Sequence, residues 1–280
     1  APNTRARWRA IRMGLATVLC YKRLGWFIPY RYADTVSDPD GYPALEPFFK
    51  AAEPDFENFL NNIDGYAVEL EAIGKEPAPQ PRWLQGWFPR LDAAAAYTMV
   101  RNRQPSQILE IGSGHSTRFM ARAVSDGGLS TRIVSIDPVP RASISDIGIE
   151  HVESTLHGAD SQLFESLTTG DFLFVDSSHI MMPGTDVDYL INDVWPRLPG
   201  GVILHIHDIL LPDGYPASWQ WRGYNEQSAI APLIVGNATK LIFSSRFATT
   251  RMKVKVEQGV IGRLDLLDGA IETSLWLEKI

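Results

Sequence analysis

The sequence predicts an α/β fold in which a parallel sheet carries helices on both faces, preceded by a helical N-terminal extension. From Gln107 onward, short apolar runs alternate with helical stretches, as in strands joined by crossover helices. A Gly-x-Gly turn at Gly112 and Gly114 follows the first of these strands, and such a turn lets a ligand approach the backbone closely. We expect residues 1–88 to form the extension and residues 89–280 to form the α/β domain.

The composition is that of a globular chain. Of the 280 residues, 45% are hydrophobic, which is enough to bury a sizeable core without covalent staples. The single cysteine excludes a disulfide framework and a zinc cluster built from cysteines. A net charge of −7 disfavours nucleic acid as a partner, because binding to phosphates needs a basic surface.

The charge is unevenly distributed. Residues 1–33 hold seven basic residues and no acidic one, which leaves a net charge of −14 for the remainder. Together with Trp8, Trp26, Phe27 and Tyr30, this pattern predicts a basic amphipathic helix. We expect it to lie on an anionic membrane surface or against a partner subunit, as in a homo-oligomer; the alternative is docking on its own domain. No apolar run reaches the ~18 residues of a spanning helix, so a cytoplasmic chain is expected.

Local patterns predict the order of the elements. Residues 43–74 have helical spacing, residues 76–82 form a proline-rich linker, and four consecutive alanines predict a helix over 89–103. The predicted strands cover residues 107–111, 132–136, 149–153, 171–175, 201–207, 240–244 and 272–278. The predicted helices between them cover residues 117–125, 160–167, 186–198 and 225–234. Right-handed crossovers would place the carboxyl end of every strand at one edge of the sheet.

The strongest motif surrounds the first strand-to-helix turn, in the run Ile108-Leu-Glu-Ile-Gly-Ser-Gly-His-Ser-Thr117. Glu110 stands two residues before Gly112, and the second strand ends in Asp137, 25 residues after that glycine. A carboxylate at this position can accept hydrogen bonds from both hydroxyls of a ribose.

This acid-x-Gly-x-Gly pattern resembles the class I S-adenosylmethionine (SAM)-dependent methyltransferases over about residues 89–280. The resemblance implies a Rossmann-like sheet and SAM as the cofactor. It also implies that the loop and the second-strand acid contact SAM while Glu110 supports the loop, the contacting residues being Gly112, Ser113, Gly114 and Asp137. A nucleotide-dependent oxidoreductase is the alternative with the same fold, but it would need a third glycine or alanine where Thr117 stands.

Two later strands end in side chains that can perform chemistry. The fourth strand is followed by Asp176 and His179, and the fifth ends in His207 and Asp208. Because carboxyl ends of parallel strands meet at one edge of a sheet, Asp176 and Asp208 should be neighbours. Paired carboxylates at such an edge can hold a hard cation such as Mg²⁺.

This arrangement resembles the catechol O-methyltransferase group and its bacterial relatives. The resemblance implies methyl transfer to a hydroxyl of a small molecule, such as a sugar, a natural product or a phenol. His179 stands where that group has a basic lysine, so it is expected to act as the base, with Asp176 and Asp208 positioning the hydroxyl. A divalent metal would be held by Asp176, His207 and Asp208, although His207 departs from the family's acid and leaves a softer metal or none open.

Residues 211–227 form a long aromatic loop after the fifth strand, which predicts a lid over the acceptor. Its Tyr224-Asn-Glu-Gln227 segment resembles one in uncharacterised bacterial methyltransferases. A non-catalytic, membrane-associated scaffold with the SAM fold is the remaining alternative, which Asp176, His179 and Asp208 argue against.

Overall fold

A computed structural model describes residues 4–280, apart from the side chain of Ala6. The chain divides into two compact units. One contains the described residues up to Gly41 together with Asp213–Tyr224, and the other contains Tyr42–Pro212 and Asn225–Ile280. The boundary expected at residue 88 stays a prediction, while residues 42–88 belong to the unit that contains the sheet. Within residues 4–280, no helix combines the length and the apolar composition that crossing a membrane requires.

The smaller unit begins with helix α1 (Thr4–Val18). The helix expected over residues 1–33 is therefore wrong beyond Val18, and its first three residues lie outside the described chain. The helix stops because Cys20 adopts a left-handed φ of 57°, while Tyr21 N donates to Ala16 O at 3.0 Å. This is a usual way for a helix to end.

The other segment of this unit is the loop Asp213–Tyr224, which contains the helical turn Ala217–Arg222. An isolated antiparallel bridge joins Gly41 to Asp213. Within the loop, Arg222 lies over the ring of Trp219 with 4.1 Å between Cζ and the ring centroid. The aromatic residues of the loop thus pack on one another, and the lid function stays a prediction.

The larger unit contains a seven-stranded sheet in the order β3-β2-β1-β4-β5-β7-β6. Its strands are β1 (Gln107–Ile111), β2 (Arg132–Ile136), β3 (Glu150–Val152), β4 (Phe172–Val175), β5 (Ile203–Ile206), β6 (Thr239–Ser244) and β7 (Leu275–Lys279). Neighbours among β1 to β5 pair in parallel, which confirms the predicted alternation of strands and crossovers. β1 and β4 are buried along their whole length because helices cover both faces of the sheet.

The prediction that the carboxyl ends of all strands lie on one side of the sheet is wrong for the last strand. β7 runs antiparallel to both β5 and β6. Two helices that the sequence patterns did not predict, Ser245–Arg251 and Lys253–Gln258, follow β6. These helices do not return the chain to the amino ends of the parallel strands, because Leu275, the first residue of β7, pairs with Ser244, the last residue of β6. β7 therefore begins where β6 ends and must run the other way.

The helices before the sheet belong to its unit. The helical pattern over residues 43–74 is divided into three helices, α2 (Glu46–Ala51), α3 (Glu53–Asp64) and α4 (Ala67–Ala72). Pro54 lies in the first turn of α3, where its missing N–H leaves no hydrogen bond unmade. The ring of Phe59 lies 4.8 Å from that of Phe243 on β6, so α3 is fastened to the edge of the sheet.

The remaining helices cover the faces of the sheet. They are α5 (Arg90–Arg103), α6 (His115–Gly127), α7 (Gln162–Glu165), α8 (Asp186–Tyr189), α9 (Trp195–Arg197), α10 (Gln227–Val235), α11 (Ser245–Arg251) and α12 (Lys253–Gln258). The helix expected over 186–198 is interrupted by a π-helical turn at Leu190–Val194, and α7 is shorter than the expected 160–167. In α5 the four alanines 93–96 are all buried, which allows close packing.

The order of the strands determines where a ligand can bind. From β1 the chain moves outward to β2 and β3 on one side, and then returns to β4 and β5 on the other. The crevice at the carboxyl ends of β1 and β4 is therefore the switch point, where open α/β sheets bind ligands. Gly112 follows β1 and Asp176 follows β4, so both lie at this crevice.

Candidate active site

The glycine loop, residues 112–114, is pressed against the end of β4. Gly112 has a φ of 81°, and its N–H donates to the carbonyl of Ile136 at 3.0 Å. A Cβ atom at this position would collide with the carbonyl oxygen of Asp176. Only glycine meets both the conformational and the steric requirement, so the loop approaches the neighbouring strand as closely as a backbone can.

Glu110 holds this loop through hydrogen bonds to the first turn of α6. It is fully buried; its Oε1 accepts from Ser116 Oγ at 2.6 Å and its Oε2 from Thr117 Oγ1 at 2.7 Å. Thr117 Oγ1 in turn accepts from the N–H of Gly114 at 2.9 Å. Burial raises the pKa of Glu110 to about 7, against the effect of the two hydroxyl donors. The carboxyl group thereby ties the loop to the first turn of α6.

Asp137 closes the other side of the loop. Its Oδ2 accepts from the N–H of Ser113 at 2.7 Å and from Ser113 Oγ at 3.1 Å. Its Oδ1 accepts from the N–H of Val139 at 2.7 Å. The side chain is only partly buried, and each carboxylate oxygen has a second lone pair. Asp137 can therefore accept further hydrogen bonds from a ligand beside the loop.

The ends of β4 and β5 bring together the predicted catalytic side chains. The Nε2 atom of His179 lies 3.1 Å from Asp176 Oδ1 and 3.6 Å from Asp208 Oδ2. Its other nitrogen, Nδ1, lies 2.9 Å from Glu226 Oε2. The ring is thus held between carboxylates on both sides. We call Asp176, His179, His207, Asp208 and Glu226 the carboxylate–imidazole cluster.

His207 joins the cluster from the other side. Its Nδ1 lies 3.6 Å from Asp176 Oδ1 and 3.6 Å from Asp208 Oδ1. Its Nε2 lies 3.3 Å from Oδ2 of Asp92, a fully buried residue of α5. The sequence-based expectation that Asp176 and Asp208 are neighbours is confirmed, since both contact the same two imidazole rings.

These contacts determine the charge of the rings. Burial lowers the pKa of His179, but Asp176, Glu226 and Asp208 outweigh it and raise the pKa to about 10. Burial likewise lowers the pKa of His207, but Asp208 and Asp176 outweigh this effect and raise the pKa well above its ordinary value. Although burial acts to raise the pKa of Asp176, the two histidines hold it well below the usual range. These carboxylates therefore favour the protonated form of His179 near pH 7, and its expected role as the base stays a prediction.

The sequence patterns missed two acids. Glu226 lies in the Asn-Glu-Gln segment that was noted for its resemblance only, 47 positions from its partner His179. Asp92 gives a weaker signal, as a single acid at the start of an alanine run on a buried helix face. Neither acid can be assigned to a histidine without knowing which elements pack together.

The residues expected to bind a metal are paired with one another and with His179. Asp176, His207 and Asp208 do meet, but their polar atoms face one another and His179 in direct ion pairs. Across residues 4–280, no group of three or more histidine, cysteine, aspartate or glutamate side chains is arranged to hold a metal ion. Imidazole is also a poor ligand for Mg²⁺. The metal site at Asp176, His207 and Asp208 therefore stays a prediction, and in this structure these side chains form a network of ion pairs.

The glycine loop, in contrast, fits a polar ligand. His115, the first residue of α6, is buried, and its Nδ1 has no hydrogen-bond partner within residues 4–280. Burial, aided by Arg118 and Arg82, lowers the pKa of His115 to about 4, so its ring is neutral near pH 7. The buried Oγ of Ser177, directly after Asp176, is also unpaired in the described chain. Unpaired buried polar atoms at a crevice mark places where a ligand completes the hydrogen bonding.

Comparison with known proteins identifies the central part of the chain. Residues 109–209 match the model of a family described as "Methyltransferase domain". This segment contains the glycine loop, Asp137 and the cluster residues of β4 and β5. No curated protein sequence matches the chain.

Several solved structures are similar to the chain at low identity. The SAH-bound Podospora anserina methyltransferase PaMTH1 is 16% identical, with a TM-score of 0.40 over 91% of this chain and 99% of that one. A putative O-methyltransferase from Klebsiella pneumoniae is 14% identical, with a TM-score of 0.36 over 79% and 89%. The O-methyltransferase from Bacillus cereus in complex with SAH is 11% identical, with a TM-score of 0.37 over 80% and 91%.

The match to a methyltransferase domain concerns the central strands of the sheet. The match runs from β1 to the residues just after β5, which are the strands on both sides of the switch point. The alternative of a nucleotide-dependent oxidoreductase is not supported, since the matched model is that of a methyltransferase. Residues 109–209 of this chain thus match a methyltransferase domain, and the sheet that they help to form has a Rossmann-like order.

Proposed function

We propose that this chain transfers the methyl group of SAM to a hydroxyl of a small molecule, at the junction of the glycine loop and the carboxylate–imidazole cluster. The contact of Gly112 with the carbonyl of Asp176 is the observation that carries the proposal. It joins the loop expected to bind the cofactor directly to the residue whose carboxylate begins the cluster. A methyl donor on the loop would therefore lie beside these acids.

The loop and its supports are suited to hold SAM. The open lone pairs of Asp137 would accept from the ribose hydroxyls, as acids at the end of the second strand do in such folds. Gly112, Ser113 and Gly114 would pass under the methionine part, as the resemblance of the loop motif implies. Glu110 would act indirectly by fixing Ser116 and Thr117. His115 would offer its unpaired Nδ1 as a further polar contact.

Asp176 is the member of the cluster best placed to meet an acceptor. Its side chain is 18% exposed, against 10% for Asp208, 3% for Glu226 and 2% for His179. A buried histidine that is hydrogen-bonded at both nitrogens has no free position for a substrate proton. We therefore assign the contact with the acceptor hydroxyl to Asp176, and assign His179 and Asp208 to positioning that carboxylate.

The chemistry follows from this division of roles. SAM, when bound, supplies a methyl group that is already activated on a sulfonium. The protein has to align the hydroxyl with that methyl group and remove the hydroxyl proton. Asp176 would accept this proton as the new O–C bond forms and the S–C bond of the methyl donor breaks, its electron pair remaining on the sulfur of SAH. The oxygen becomes strongly acidic as the O–C bond forms, so a carboxylate of low pKa suffices. The protonated His179 keeps Asp176 ionised and correctly oriented.

The charge of the cluster restricts the acceptor. Together with Asp92, the cluster contains four carboxyl groups against two imidazole rings. This excess of acids disfavours a phosphate or a carboxylate next to the reacting hydroxyl. We therefore favour a neutral acceptor hydroxyl, as in a sugar or a phenol.

The experiment is a transfer assay with labelled SAM. The chain is incubated with separate groups of neutral hydroxylated compounds, phenols and sugars among them, and both labelled product and SAH are measured. Asp176→Asn keeps the shape of the side chain but removes its basicity, so turnover should fall roughly 10²–10⁴-fold. SAH affinity, measured by calorimetry, should change by less than about threefold, because the loop and Asp137 hold the cofactor.

Asp265→Asn is the matched control, since Asp265 is exposed and lies outside the cluster. It should retain full turnover. Full turnover in Asp176→Asn would disprove the role of Asp176. Loss of SAH binding in that variant would instead place Asp176 in the cofactor site. Labelled product that carries the methyl group on nitrogen would overturn the assignment of a hydroxyl acceptor.

A further inference from the structure

Helix α1 carries a stripe of exposed apolar side chains. Trp8, Ile11, Leu15 and Val18 are all exposed, Trp8 by 67%. At about 3.6 residues per turn, these four side chains fall within roughly 80° of the helix circumference. A monomeric protein seldom leaves such a continuous stripe in water, so the stripe indicates a binding surface.

The segment after α1 continues this surface. Its exposed side chains are mostly aromatic or large and aliphatic, and Tyr21 is 88% exposed. They are Leu19, Tyr21, Trp26, Phe27, Ile28, Tyr30 and Tyr32. Aromatic rings with a polar atom are favoured where one side of the ring meets hydrocarbon and the other meets water. The composition thus matches an interface between hydrocarbon and water better than the surface of a single globular protein.

Positive charge borders the stripe on both sides. In the helical projection, Arg5 and Arg12 lie on one border and Arg7 on the other, at about 3.6 residues per turn. Residues 1–33 contain seven basic residues and no acidic one. In the segment after α1, Arg23 lies over the ring of Trp26, with 5.1 Å between Cζ and the ring centroid. An apolar stripe between arginines is the pattern of helices that lie in the headgroup region of anionic membranes.

We infer that residues 4–32 dock this methyltransferase on an anionic membrane surface, with the apolar stripe of α1 facing the lipid. Charge complementarity favours lipid headgroups, because these residues are entirely basic among their charged side chains. The four stripe residues would enter the boundary between headgroups and acyl chains, while the bordering arginines would contact lipid phosphates. This inference does not depend on the identity of the acceptor.

The test is sedimentation of the full chain with vesicles. One set contains phosphatidylcholine alone, and the other contains phosphatidylcholine mixed with phosphatidylserine. We expect binding to the anionic set only, weakening as salt is added. Arg5→Ala combined with Arg12→Ala should weaken binding about fivefold per arginine. Trp8→Ala combined with Leu15→Ala should remove most of it, and both side chains are exposed, so the fold is not at risk.

Val68→Ser and Val254→Ser are the matched controls, because both valines are as exposed as the stripe but belong to the larger unit. They should bind vesicles like the parent chain. Absence of binding to anionic vesicles, or equal binding to both sets, would overturn the inference. So would a dimer in solution that Trp8→Ala with Leu15→Ala converts to a monomer, since the stripe would then serve a second copy of the chain.

Discussion

Substituting Gly112 by alanine tests whether the glycine loop and the cluster are coupled through their shared contact. Two costs are expected. A φ of 81° at a residue with a Cβ costs about 1–2 kcal/mol. The new Cβ would also meet the carbonyl oxygen of Asp176, and relieving such a collision with backbone costs about 1–3 kcal/mol more. We expect the free energy of unfolding to fall by about 2–5 kcal/mol.

Gly170→Ala separates these two costs. Gly170 has a φ of 88°, close to that of Gly112, and a Cβ there would have no heavy atom within 4 Å. It should therefore carry only the conformational cost of about 1–2 kcal/mol. For a chain of this size each kcal/mol lowers Tm by about 2–4 °C, so thermal unfolding resolves the difference between the variants.

Binding of SAH, measured by calorimetry, provides the second comparison. Gly112→Ala moves the loop away from β4, so its Kd for SAH should rise at least about tenfold, equal to about 1.4 kcal/mol. Gly170→Ala should bind SAH like the parent chain. The reasoning is refuted if the two variants have equal stability and equal SAH affinity, because the contact with Asp176 would then play no part.

Three further predictions concern the buried polar groups. Thr117→Val removes the hydroxyl that links Glu110 to Gly114 and should lower the free energy of unfolding, measured in urea, by about 1–3 kcal/mol. Thr98→Val, the control, removes a buried hydroxyl without a partner in residues 4–280 and should not lower it. Equal losses in the two variants would contradict the role of the link. The ion pairs of His179 contribute stability that is complete below its ordinary pKa of 6.5 and is lost as pH rises through about 10. Between these values the parent chain should therefore lose more stability than His179→Gln in paired unfolding curves, and parallel curves would refute the raised pKa. Chelating agents should leave turnover unchanged, because the carboxylate of Asp176 is already paired with the imidazoles of His179 and His207; a loss of turnover that added metal restores would show otherwise.

The parts of the fold that local patterns could predict are those that local forces determine. The strands β1, β4 and β5 appear as largely apolar runs because both faces of the sheet are covered there. The loop motif predicts the position of Glu110 because the turn is made by neighbouring residues, and Asp137 is predicted because the second strand ends there. The end of α1 depends on the left-handed conformation of Cys20, which no pattern in the sequence marks.

The site is less predictable than the fold because its contacts are distant in the chain. His207 pairs with Asp92, 115 positions away, and this pairing requires α5 to pack beside β5. His179 has the sequence position of a base, yet three carboxylates around it reverse its protonation at neutral pH. Residue type and spacing thus indicate where chemistry occurs, while the state of each group depends on tertiary packing.

The buried Asp92 has a consequence for engineering the protein. Its carboxylate accepts from the N–H groups of Thr273 at 2.9 Å and Ser274 at 2.8 Å, just before β7, while it also faces His207. A chimera that transplants only residues 109–209 would keep the glycine loop but lose Asp92 and Glu226, the acids that hold the two imidazoles. Any functional graft must therefore include the chain from α5 through β7, and truncation near the C-terminus should damage a catalytic centre built largely in the middle of the sequence.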